Sequence, residues 1–557
     1  MVARGTKESQ EATPFANPHI VHPLNFTMIL ISNSQDAAEA KYAIERALLG
    51  DLQSALTDCK EWKLLIGETL MATITADNCE LSVEWGKLIF AWWDETRSQS
   101  WRVTAYETDE AELRLQVTRG LKNELTTLIL RNELKWRDKI EFENLELTER
   151  RRLYAQTLAE MLATKFEGAR IQRLTTGTNR SRSVPGRYAR LVLKLRSETA
   201  LAIGATEAES QTDIDGIIAA GLVWLADFNQ QREANQTNPQ AKRLMFCLPA
   251  GRFQTAIERL TLVNTEHLGA RVECLEINER RKELCSIQLA TQSELLNTHP
   301  RELDWPETSP AENYWRERIL RLAPEQIELR QIAGKELYSI NGLEFARASL
   351  GEKPRIVFGV AGLDETPAET LTEANFDRLT KLVQELVTHR LASSVNRRNP
   401  FYRLREEAWL ESLLRQHISV LDASFDQRFV YSQIPAWRGD ERSVIDLLTV
   451  NHQARLVVIE VKASEDAQLP MQGLDYWLRV EQARIRGEFQ RRGLFGGIKL
   501  VDQPPLLYLV APRLRFHRTF SVVARCLSPQ IEAYQVGVNA NWREGVRVRT
   551  IERTNNE

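Results

Sequence analysis

The same succession of segments occurs twice along this chain, and any fold it adopts has to accommodate that repetition. Residues 188–195 and 199–206 read as two apolar strands around a short turn. They lie without a gap on residues 444–451 and 455–462 at an offset of 256. The helix-patterned residues 213–225 that follow bring Trp224 against Trp477. Residues 243–249, ending in Pro249, answer residues 506–512, ending in Pro512, and residues 272–277 answer 531–536. Upstream, Leu158 and Leu162 stand where Leu410 and Leu414 do. Six elements recurring in one order imply a tandem duplication. A fainter echo pairs residues 80–91 with 336–346, as if a β-rich module preceding each copy had been duplicated too.

Only the later copy carries charges where chemistry could be done. Ser443-Val-Ile-Asp446-Leu-Leu-Thr-Val450 and Arg455-Leu-Val-Val-Ile-Glu460-Val-Lys462 are β-formers joined by the polar turn Asn451-His-Gln-Ala454, which reads as a hairpin. Folding about that turn sets Asp446 opposite Glu460, to within one residue. Alternation along the strand puts Glu460 and Lys462 on one face and Ile459 and Val461 on the other. Two carboxylates so placed repel each other and are costly to bury, so a divalent cation with hard oxygen ligands, Mg²⁺ or Mn²⁺, is their natural partner. Lys462 cannot bind a metal, but it can hold a phosphate oxygen or an attacking water. The gapless superposition puts Arg190, Gly204 and Thr206 at the positions of Asp446, Glu460 and Lys462, so the earlier copy has lost all three.

The flanks extend the pattern. Residues 405–417 have helical periodicity, with Glu407 and Glu411 one turn apart on one face. Residues 469–477 open a second helix, with Gln472 and Tyr476 at the same spacing. Helix with Glu, strand with Asp, strand with Glu-X-Lys, helix with Gln-X-X-X-Tyr: in this order residues 403–540 resemble the PD-(D/E)XK nuclease superfamily, and within it the endonucleases of the NucS, RecB-like and Mrr kind. Ile445 stands where the family name has proline. The resemblance implies a mixed α/β fold with a restriction-endonuclease-like αβββαβ core, present twice, one copy degenerate, each preceded by a smaller β-rich module. It implies that Asp446, Glu460, Val461 and Glu411 surround the metal, with Glu407 the rival of Glu411, and that Lys462 orients the water. Gln472 would brace the site. Tyr476 would do the same, either residue alternatively touching the scissile strand, or Tyr476 would pack with Trp477 as core aromatics.

Length and composition agree with several domains. The 557 residues, 43% of them hydrophobic, divide into a mobile tail (1–27), a β-rich module with an N-terminal helix (28–147), the degenerate copy (148–299), a connector with strands and a helix (300–400) and the intact copy (401–557). No apolar run approaches a membrane span and no signal peptide opens the chain. The six cysteines show no C-X-X-C spacing and read as reduced core residues of a cytoplasmic protein, which excludes structural zinc. A phosphate-cradling Gly-rich loop is missing, which argues against a nucleotide-driven motor. The net charge of −3 does not advertise nucleic acid. Locally, however, Arg397, Arg398 and Arg405 lead into the Glu411 helix, and Arg484, Arg486, Arg491 and Arg492 follow the Gln472 helix. Such residues hold a phosphate backbone without reading sequence.

The expected activity is therefore a metal-dependent DNA endonuclease acting on duplex or branched DNA in repair or anti-phage defence. The alternative is a catalytically silent DNA-binding or scaffold protein that keeps the nuclease fold. Residues 28–147 would serve as a sensor or as the contact for a homodimer or protein partner.

Overall fold

A computed structural model describes His22–Pro23 and residues 49–555, apart from stretches of ten residues or fewer, among them 120–123, 136–145, 178–183, 236–239, 306–313, 350–354 and 364–367. It is mixed α/β, with four sheets. The chain divides after Glu146 into two compact units.

The first unit is an antiparallel sheet. Its strands run, across the sheet, Thr69–Ile74, Trp62–Ile66, Glu124–Arg131, Glu112–Arg119, Ser98–Thr108, Lys87–Trp93 and Cys79–Glu84. Alternate residues Leu88, Phe90 and Trp92 point into its core with Trp101, Leu113, Leu115 and Leu128, as period-2 patterning requires. His22–Pro23, placed in the expected mobile tail, instead pairs with Tyr106 and Ala105. The helix expected over residues 37–56 is described only from Leu49 on, and the rest of the expected tail lies outside the described residues.

The second unit contains the repeat. Its earlier half runs helix Leu147–Lys165, strands Arg170–Thr175, Ala189–Leu195 and Glu198–Gly204, helix Ile217–Asn235, strand Ala241–Pro249, helix Gln254–Thr261, and strands Arg271–Asn278 and Glu283–Ile287. Its later half runs helix Glu406–Gln416, strands Tyr431–Arg438, Glu441–Val450 and Leu456–Val461, helix Leu469–Ile485, strand Leu506–Pro512, helix Phe520–Ala524, and strands Ala533–Val538 and Val548–Arg553. In each half the six strands lie side by side in chain order. The first three are antiparallel neighbours, the third, fourth and fifth are parallel, and the sixth is antiparallel again.

The two hairpins differ by one residue, which corrects the gapless superposition. In the later half Leu447 pairs with Ile459, so Asp446 stands opposite Glu460. In the earlier half Arg190 pairs with Ile203 and Gly204 with Ala189. One residue fewer separates Arg190 from Ile203 than separates Asp446 from Glu460, and a one-residue slip moves every side chain to the other face. Arg190 does answer Asp446, but Ile203, not Gly204, answers Glu460, and Ala205 answers Lys462. Gly204 instead lies under Tyr154 and Leu158 of helix Leu147–Lys165, so closely that a Cβ would collide with the Tyr154 hydroxyl.

The halves are not separate bodies. Ile203, Val223 and Phe246 of the earlier half share one apolar core with Leu474, Trp477, Leu507 and Leu509 of the later. Their contacts are reciprocal: helix Ile217–Asn235 packs on helix Phe520–Ala524, and helix Leu469–Ile485 packs on helix Gln254–Thr261. Equivalent positions meet each other at two places. Val263 and Leu527 form an antiparallel bridge, with Asn264 N donating to Cys526 O at 2.7 Å and Ser528 N to Leu262 O at 2.9 Å. Gln468 Nε2, just before one long helix, donates to Gly216 O, just before the other, at 3.4 Å. Self-contact of equivalent residues is the signature of a two-fold axis, here an approximate one within a single chain. Buried ion pairs cross the same interface, Arg259 with Asp475 and Arg479 with Glu258.

Between the halves lies an antiparallel sheet of strands Ile327–Ile332, Lys335–Ile340, Leu343–Ser349, Arg355–Phe358 and Glu369–Thr370 in chain order, backed by helix Phe376–His389 through Leu379, Val383 and Leu386. The faint echo falls on a hairpin in both places. The sheets around those hairpins differ, because in the first unit Trp62–Ile66 inserts between Thr69–Ile74 and Glu124–Arg131. Among the described residues no helix is long and apolar enough to cross a membrane.

Candidate active site

Strand Leu456–Val461 is buried on both faces. Val457, Ile459 and Val461 pack toward Trp409 and Leu410, while Leu456 and Val458 pack toward Leu474 and Trp477. Glu460 therefore sits in an apolar wall, only 2% exposed. Opposite it, Asp446 turns back on the strand, and its Oδ2 accepts the Val461 N–H at 2.9 Å. Lys462 Nζ donates to Glu460 Oε1 at 2.9 Å and stands 3.7 Å from Glu407 Oε2. Glu411, 3% exposed, lies near Asp446 as a fourth carboxyl, with Arg330 as its cationic neighbour.

Burial dominates the electrostatics. It pushes the Glu460 carboxyl well above the ordinary range, and the Asp446 charge adds to the shift. Asp446 is raised by burial against the pull of Lys462 and the Val461 N–H. Glu411 is raised by burial to about 8, against Arg330, and Glu407 is raised by burial against Lys462. Burial alone would lower Lys462, but Glu460, Glu407 and Asp446 outweigh it and hold the ammonium protonated. Burial, rather than any one neighbour, is what makes these carboxyls hold their protons.

Glu460 Oε2 is buried and receives no hydrogen bond, in a site whose other donors to metal would be carboxylate oxygens. That donor set is what a hard divalent cation takes, and Asp446 and Glu460 are the residues that would hold it. Among the described residues no three His, Cys, Asp or Glu side chains close a metal cage, and two carboxylates with waters are the shell Mg²⁺ commonly uses. Val461 reaches the cluster through its N–H.

The structure brings together Asp446, Glu460, Lys462, Glu411 and Glu407. Tyr476 is half-buried, its phenol raised by burial and by the Glu460 and Asp446 charges. Gln472 lies on the first turn of its helix with Oε1 buried and without a hydrogen-bond partner. Arg397, Arg398 and Arg405 are exposed on the segment entering the Glu411 helix. The downstream arginines are paired with carboxylates: Arg484 with Glu481 and Asp502, Arg486 with Glu488, and Arg491 and Arg492 with Glu302; Arg397 likewise stands 3.5 Å from Glu544. Two residues of the site escaped the sequence reading. Gln433, at a positive φ of 54°, breaks the ladder opposite Asp446, between the pairs Ser432–Leu447 and Ile434–Ile445, without shifting the register. Its Nε2 donates to Glu411 Oε2 at 2.8 Å. Arg330, from the preceding sheet, stands 3.7 Å from Glu411 Oε1.

In the earlier half the corresponding place is apolar or basic. Ala159 stands where Glu411 does, and the Arg190 guanidinium is buried, bonded to Gly177 O, with Nε and one NH group lacking any acceptor.

Raised carboxyl pKa values carry a stability consequence. A folded state that binds protons more tightly than the unfolded chain loses stability as pH rises. For Glu411 that window runs from its ordinary value up to about 8. The metal-free protein is expected to melt higher near pH 5 than near pH 8, and Glu411→Gln should flatten part of that slope. Scanning calorimetry across pH in EDTA reads it, and a melting temperature that rises from pH 5 to pH 8 would contradict the assigned burial.

Comparison with protein-family models, with curated proteins and with solved structures returns no match for this chain.

Proposed function

We propose that residues 401–557 form a restriction-endonuclease-like core with a PD-(D/E)XK site, that residues 148–299 are its decayed copy, and that the protein is a metal-dependent DNA endonuclease. The observation that carries this reading is Asp446 standing opposite Glu460, with the Lys462 ammonium 2.9 Å from Glu460 and unused carboxylate capacity beside it. A bound Mg²⁺ or Mn²⁺ would supply charge neutralisation at the phosphoryl group and a more acidic water. Asp446 and Glu460 hold their oxygens in one place through the strand pairing. Lys462 presents a fixed ammonium to a water or to a non-bridging phosphate oxygen. Hydrolysis adds the water oxygen to phosphorus and breaks the bond to one sugar oxygen, which leaves with a proton. The exposed Arg397, Arg398 and Arg405 would hold the backbone.

One live half opposite one dead half predicts one cut per engagement, hence nicked duplexes before double-strand breaks. The buried Arg190 guanidinium, at the position of Asp446, argues against a second metal site in the dead half.

Glu411→Gln is expected to impair metal-dependent cleavage more than Glu407→Gln, because Glu411 is buried between Arg330 and Gln433 while Glu407 is exposed. Rates for the two variants at saturating metal test this, and the reverse ranking would move the helix carboxylate's role to Glu407.

A further inference from the structure

Helix Glu406–Gln416, which carries Glu407 and Glu411, is held from outside its own sheet. The Asn341-Gly342 turn between strands Lys335–Ile340 and Leu343–Ser349 presses against its backbone. Gly342 has φ +72°, and a Cβ there would collide with the Ala408 carbonyl, so only glycine fits. Arg390, fully buried, donates to the carbonyls of Ile340 and Asn341 on that hairpin and of Phe401, Leu404 and Arg405 at the helix entrance. Its guanidinium lies 4.8 Å over the Trp409 ring. On strand Ile327–Ile332, Glu328 accepts from Ser412, Arg415 and Gln416.

Two residues along that strand, and so on the same face, Arg330 does something different. Docking is already supplied by Glu328, Gly342 and Arg390. Arg330 instead reaches a carboxylate of the site, NH1 to Glu411 Oε1 at 3.7 Å, and its Nε is buried without an acceptor. A guanidinium with an unbonded donor is poor packing material. Gln433 donates to the other Glu411 oxygen, so the carboxylate is flanked by a hydrogen bond on one side and an ion pair on the other, its Oε1 buried without a hydrogen bond.

We propose that Arg330, supplied by the sheet of residues 327–370, is a positioning residue of the candidate active site, fixing the Glu411 carboxylate and acting through it on Asp446. The site is then incomplete in residues 401–557 alone. The catalytic consequence rests on the nuclease reading; the coupling of Arg330 to Glu411 does not.

The test uses the full chain with Arg330→Met, Arg330→Lys, Glu411→Gln and the double variant Arg330→Met/Glu411→Gln. Arg330→Met should lower kcat on plasmid DNA by about tenfold or more, since a small misplacement costs that much, with KM for DNA within about twofold. Arg330→Lys should restore part of it. The double variant should be no slower than Glu411→Gln, because the two residues act as one unit. Additive losses, or an unchanged kcat in Arg330→Met, overturn the proposal. If the wild-type chain cleaves nothing with any metal, the nuclease reading fails. Thermal unfolding of the same four proteins in EDTA then decides the coupling: non-additive shifts uphold it and additive shifts reject it.

Discussion

Asp446→Ala and Glu460→Ala are each expected to lower metal-dependent cleavage at least about a hundredfold, a loss on the order of 3 kcal/mol of transition-state stabilisation. The same substitutions should not unfold the protein. In the metal-free state Glu460 is buried beside Asp446 with one oxygen lacking a donor; burial raises both carboxyls, and the Asp446 charge raises Glu460 further. Removing one of them relieves repulsion. The signature is therefore an inactive protein that melts no lower than wild type in EDTA and gains little from added Mg²⁺. Single-turnover cleavage with melting curves checks both halves, and a variant that cleaves like wild type, in a preparation free of contaminating nuclease, rejects the site.

The second large effect concerns the interface between the halves. Arg259 Nε and NH2 bond Asp475 Oδ1 and Oδ2 at 2.9 and 2.7 Å, joining a helix of the earlier half to the long helix of the later, with both residues buried. A two-point guanidinium–carboxylate contact of this kind is strong but desolvated. Breaking it from one side strands the other charge, so Arg259→Met or Asp475→Leu alone should cost about 3–5 kcal/mol, whereas the two together should recover much of the loss. Chemical denaturation of the three variants measures this. Equal, small effects of both single changes would mean that the halves are held by the apolar core alone. Because helix Leu469–Ile485 also backs strand Leu456–Val461, loosening it should lower cleavage without touching the charged cluster.

Much of this was legible in the residues, for reasons of periodicity. The apolar runs around Asp446 and Glu460 and the polar turn between them specify a hairpin and its register to within one residue, and the structure sets it with Leu447 opposite Ile459. The order of six elements in each half could be read because each keeps its own pattern. What escaped depends on contacts between distant segments. The one-residue difference between the hairpins is invisible to a gapless comparison, and it moved Gly204 onto the wrong face. Gln433 is aimed by a local break in its strand that no pattern announces, since its positive φ falls on a residue other than glycine. Arg330 lies far upstream of the nuclease-like segment and joins the site only through tertiary docking. Arg491 and Arg492 looked like part of a backbone-binding band because their partner Glu302 comes from far upstream, whereas the partners of Arg484 and Arg486, Glu481 and Glu488, stand close by in the sequence.

The central claim is that Asp446, Glu460 and Lys462 make a metal-dependent phosphodiesterase, and relaxation of supercoiled plasmid by the purified full-length chain tests it most directly. The prediction is conversion to nicked circles with Mg²⁺ or Mn²⁺, abolished by EDTA and by Asp446→Ala, with linear product appearing only later. Plasmid left intact in both metals, or cut equally well in EDTA or by Asp446→Ala, would contradict it and leave the DNA-binding scaffold as the better account.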